Sequence, residues 1–133
     1  MITLTEALTN RFPQGSAWVR QALATMGGGI GPALPVHDVS DGWVLPDGGA
    51  EPVMALFILT EDRLGVGHPS PDTVPRWVPL SAVTALDVVE ERAEDVHVVT
   101  VGLAGGSGFT VAWPEPFSRR LVDVLSATPV GVF

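Results

Sequence analysis

The sequence predicts an α+β fold: an antiparallel β-barrel or strongly bent sheet of six to seven strands, capped by a C-terminal helix and preceded by an added helical segment. Three observations lead there. Two apolar stripes at helical spacing come before residue 29, short strand-like runs separated by turn signals fill the middle, and one amphipathic stretch opens at Pro114-Glu115-Pro116. At 133 residues the chain is one domain, large enough to bury roughly two-thirds of its unfolded surface. Within it, 1–29 reads as the helical extension, 33–126 as the barrel with its terminal helix, and 127–133 as an irregular tail.

The N-terminal stretch reads as two short helices. Thr3 and Glu6 have capping-box spacing, and Leu4, Leu8 and Phe12 follow on one face. Pro13-Gln14-Gly15 interrupts, Ser16 is placed to cap a second helix, and Trp18, Val19, Ala22, Leu23 and Met26 form its apolar stripe. Gly27-Gly28-Gly29 ends it. A helical pair this short does not fold alone, so its apolar faces must pack on the remainder.

A strand is expected near Pro35 to Leu45, followed by a turn at Asp47-Gly48-Gly49. Val53 to Thr60 is apolar on both faces, with 53, 55, 57 and 59 on one side and 54, 56 and 58 on the other. Something must therefore cover its outside, and the helices are the obvious candidates. The chain turns at Glu61-Asp62 and continues through Leu64 and Val66. His68 to Pro75 holds three prolines, which remove donors and restrict their predecessors, so an exposed loop is expected. Strands are then predicted at Arg76 to Val78, Ser81 to Glu91, Val96 to Leu103 and Phe109 to Trp113, with Glu90 to Asp95 as an acidic turn and 104–108 as a glycine-rich one. Proline and an acid at Pro114-Glu115-Pro116 suit a helix start. Phe117, Leu121, Val124 and Leu125 make its apolar face, opposite Arg119, Arg120 and Asp123.

The order of strands followed by one terminal helix resembles the pleckstrin-homology-like superfamily. Leu59-Thr60-Glu61-Asp62-Arg63-Leu64 is similar to the strand–turn–strand motif of its GRAM and bacterial PH-like branches, and Trp77-Val78-Pro79-Leu80-Ser81-Ala82-Val83-Thr84-Ala85-Leu86 to the segment those branches place two strands later. The closing Phe109-Thr110-Val111 strand and the terminal helix extend the likeness, which covers about residues 50 to 126. It implies a binding or scaffold module and no catalysis. Phosphoinositide-binding members carry basic residues around the first hairpin loop; the counterpart here, Asp47 to Glu51, is acidic.

Composition narrows the chemistry further. Without cysteine there are no disulfides, thiolate metal sites or thiol nucleophiles. Every one of the seven basic residues is arginine, and without lysine neither a Schiff base nor a P-loop lysine is available. A net charge of −8 disfavours nucleic acid and anionic lipid as partners. The longest apolar run, Val53 to Leu59, is far below the roughly 20 residues of a membrane span, and no basic n-region precedes an apolar stretch, so a cytoplasmic location is expected.

Motifs that could signal catalysis fail on context. Gly27 to Gly31 follows a helix instead of preceding one, and Gly105-Gly106-Ser107-Gly108 lacks the final glycine of a nucleophile elbow. His37, His68 and His97 lie 31 and 29 residues apart, without ligand-like spacing. The acid pairs Glu61-Asp62, Glu90-Glu91 and Glu94-Asp95 read as solvated turns. No catalytic residue, metal or cofactor is expected. Tryptophan and arginine are enriched at interface hot spots, which makes Arg76, Trp77, Trp43 and Arg63 the candidate contact residues. The expected function is a non-catalytic module that binds a protein or peptide by edge-strand addition or self-association. The alternative is a small barrel holding an apolar molecule in its interior or under the helix.

Overall fold

The structure, a computed structural model, describes residues 1–27, 30–45, 51–68, 76–92 and 95–127. The expected turn at Asp47-Gly48-Gly49, the proline-rich stretch 69–75, Glu94 and the tail from 128 lie outside the described residues.

Two helices open the chain, α1 (Leu4–Arg11) and α2 (Ala17–Met26). Thr3 caps α1 as its spacing predicts, its hydroxyl oxygen accepting from the Glu6 amide at 3.2 Å. Ser16 precedes α2 but makes no side-chain cap bond, so its expected capping role is not realised. Gly27, at φ +57°, closes α2 in a conformation that favours glycine. A two-stranded clasp that the sequence pattern does not reveal pairs β1 (Ile2–Thr3) with β2 (Pro35–Val36).

The main sheet has seven antiparallel strands curled into a half-barrel. One meander comprises β3 (Asp38–Leu45), β4 (Val53–Leu59), β5 (Arg63–Gly67) and β6 (Trp77–Pro79). A 3-10 turn at Leu80–Ala82 leads to the second meander: β7 (Val83–Arg92), β8 (Val96–Leu103) and β9 (Gly108–Pro114). The strand expected over Ser81 to Glu91 therefore starts two residues later and runs to Arg92, so of the two overlapping expectations for Glu90 and Glu91, strand end and acidic turn, the strand holds. Pairing of β3 with β9 over 43–45 and 110–112 joins the halves, giving the order β6-β5-β4-β3-β9-β8-β7. With α3 (Glu115–Ala127) closing the chain, the fold is α+β and consistent with a PH-like barrel.

From Ala55 to Leu59 both sides of β4 are buried, each for its own reason, whereas Met54, expected to be covered, is exposed because the helices do not reach it. Ala55, Phe57 and Leu59 face the concave side, where α3 inserts Phe117, Leu121 and Leu125, each at most 2% exposed. Trp113 packs edge-on to Phe57 at 5.1 Å between centroids and lies 5.0 Å from Phe117, and its indole N–H donates to the Ser118 hydroxyl at 2.7 Å. The space beneath α3 is thus filled by aromatic side chains with their one polar handle satisfied. On the convex side Leu56 and Ile58 meet Leu4, Ala7, Val19, Ala22 and Met26 of α1 and α2. Gly65 and Gly67 of β5 let α2 lie close: a Cβ at Gly67 would stand 2.8 Å from the Ala22 carbonyl oxygen. An ion pair between Arg11 and Asp41 at 3.2 Å, exposed and worth at most about 1 kcal/mol, ties α1 to β3. No helix among the described residues is long and apolar enough to cross a membrane.

Candidate functional site

Three of the four residues singled out from sequence come together at the β5–β6 edge. The Arg63 guanidinium sits 4.0 Å from the centroid of the Trp77 ring, a separation that favours cation–π attraction. Trp77 also donates its indole N–H toward the carbonyls of Met26 and Gly27, at 3.3 and 3.4 Å, and packs against the α2 cluster. Arg76 donates to the His68 carbonyl at 2.5 Å. These contacts fasten β6 and α2 to the sheet, so the side chains are engaged within the fold. His68 itself is 1% exposed, which corrects its assignment to an exposed loop. Trp43 stands apart on β3, 40% exposed, with Met54 beside it across the strand pair at 47%. Both lie on the convex face.

The two ends of the sheet differ in what they offer. β6 is three residues long and ends at Pro79, which has no N–H to donate; a short edge bearing proline is protected against further pairing. β7 runs for ten residues, and among the described residues no strand pairs with its far side. Its register with β8 shifts between Val83 and Ala85 and again between Val88 and Glu90, so two bulges bend it. Asp87, Val88, Val89 and Glu91 are exposed.

Beside this edge runs a groove of about 190 Å³ between the sheet and α3. Leu86, Val88, Val99 and Val122 supply apolar lining, and Ser118, His97, Glu115 and Arg119 supply polar groups. Val88 and Val122 line the groove from β7 and from α3, at 49% and 48% exposure. Arg119 is paired with Glu115 one turn back on the helix, and His97 Nε2 lies 3.8 Å from Glu91. His97 therefore faces the helix side, one of the two orientations its alternation with Val96 and Val98 allows.

A larger, wider cleft of about 960 Å³ lies at the other end of α3. Glu61, Asp62 and Asp123 share its wall with Arg63, Arg120 and His37, so acids and bases are intermixed and no pair is isolated from solvent. Nearby Asp38 has its pKa raised by burial, opposed by the Val39 amide hydrogen bond and by Arg120 and Arg11. Among the described residues no group of three His, Asp or Glu side chains converges as a metal site. No known family model matches the chain, and no curated protein matches it.

Proposed function

We propose that this protein is a non-catalytic interaction module of the PH-like kind that takes an extended segment of a protein or peptide partner along the open side of β7. The observation that carries the reading is the ten-residue edge strand with an apolar groove directly beside it. An added strand satisfies backbone donors and acceptors along β7, and its alternate side chains enter the groove toward Val88 and Val122. Covering those two half-exposed valines contributes on the order of 2 kcal/mol, and each new backbone hydrogen bond a further ~1 kcal/mol before the cost of ordering the peptide. The strand order supports PH-like descent, as do the residues at 59–64 and 77–86. The interior is packed with Phe57, Trp113 and Phe117, so no observation favours an apolar ligand there.

A random dodecapeptide library displayed on phage tests this reading. Selected peptides should slow amide hydrogen exchange along β7, and Val122→Glu, a substitution at an exposed helix position, should weaken them at least about tenfold. Protection confined to the Trp43–Met54 face or the Arg76–Trp77 edge, with binding indifferent to Val122→Glu, would overturn it.

A further inference from the structure

We infer that the segment received by β7 is positively charged, with lysine or arginine placed beside its apolar residues, and that it is not a second copy of this chain. The inference rests on the strand-addition reading and specifies the partner. The edge strand over residues 87–92 holds three acids (Asp87, Glu90 and Glu91) against the single Arg92, a net charge of −2. Of these, Asp87 and Glu91 have exposed side chains. The groove does not offset them: its charged groups are Glu115 and Arg119, which neutralise each other, with His97 beside Glu91.

Self-pairing meets this charge head-on. An antiparallel copy of β7 centred between Val88 and Val89 sets Asp87 opposite position 90 of the other strand, on the same face of the sheet. Both are acidic, and like charges directly opposite destabilise a sheet. A copy centred on either valine avoids direct opposition yet still brings two edge strands of net charge −2 together, within a chain of net charge −8. A basic strand reverses every one of these terms. It finds a carboxylate at Asp87 and Glu91 flanking the apolar step at Val88, so charge selects the partner while the groove holds it.

The experiment selects the same phage-displayed dodecapeptide library against the intact wild-type chain and against Asp87→Lys/Glu91→Lys. Both positions are exposed, and circular dichroism verifies that the double variant is folded. Wild-type protein should enrich peptides carrying two or more lysines or arginines, with affinity falling about tenfold or more from low to high salt. The double variant should enrich acidic peptides instead. Wild-type binders that lack basic residues but are still weakened by Val122→Glu would overturn the charge inference and leave strand addition standing. Binders indifferent to Val122→Glu would remove both. A dimer seen by light scattering and abolished by Val88→Glu would place a second copy on β7 and overturn the inference.

Discussion

Replacing Gly42 by alanine tests how the two halves of the sheet are closed. Gly42 lies on the concave face of β3, next to the positions where β3 pairs with β9. A Cβ there would collide with the backbone carbonyl oxygen of Ala112 on β9, and would stand 2.8 Å from Cε2 of Phe57. In an unobstructed strand the substitution would gain roughly 0.5–1 kcal/mol from reduced backbone entropy. Overpacking costs about 1–3 kcal/mol, and its upper end applies because the obstacle is backbone and cannot turn aside. The net expectation is a loss of about 2 kcal/mol, or a Tm lowered by ~8 °C at this chain length. Gly31→Ala is the matched control. It has nothing within 4 Å of its would-be Cβ and should hold or raise Tm by a few degrees, about 0.4–1 kcal/mol. Thermal unfolding followed by circular dichroism reads both. A Gly42→Ala protein as stable as wild type would refute the account of closure. So would a double-mutant cycle in which Phe57→Leu removes the whole penalty, since the ring, not the β9 carbonyl, would then be the obstacle.

Two further perturbations address the N-terminal layer and the acid near the large cleft. Trp77→Phe keeps the ring over Arg63 but removes the indole donor shared by the Met26 and Gly27 carbonyls; a loss of about 1 kcal/mol is expected, with faster amide exchange concentrated in α2. Exchange that changes at β7 and not in α2 would contradict Trp77's role as a fastening. Asp38 has a folded-state pKa raised above its ordinary value of 3.8, so the folded state binds its proton more tightly than the unfolded chain does. Its contribution is therefore fully present below about 3.8 and lost as pH rises through the higher folded pKa. Asp38→Asn, which can still accept from the Val39 amide, should lose this dependence. Measured against wild type by urea denaturation, the variant should gain in relative stability between acidic and neutral pH; an opposite trend would show the carboxylate to be favoured by Arg120 and Arg11 after all.

The residue pattern carried much of the fold because burial on two faces is written locally. The alternation in Val53 to Leu59 requires cover on both sides, and over Ala55 to Leu59 the structure supplies α3 on one and the α1–α2 pair on the other. Val96 to Leu103 is a strand over the expected residues, and Trp113 lies beneath the terminal helix. Elements decided by contacts distant in sequence were not legible. Trp77 is held by carbonyls some 50 residues away, and nothing in its neighbours distinguishes a fastening from a contact residue. His68 is buried despite its proline-rich surroundings. Glu90 and Glu91 fit both a strand end and an acidic turn by sequence, and only their partners on β8 decide for the strand.

By itself, then, the chain determined which residues turn inward and where helices begin, because periodicity and capping are properties of a few consecutive residues. Only the tertiary structure decided that β3 pairs with β9 and that β7 ends the sheet. Strand order is a choice among distant partners whose apolar faces are nearly interchangeable. It is settled by closure, by where Gly42 admits the β9 backbone and where α3 fills the concave side. The exposed edge, and with it the candidate site, is a product of that choice.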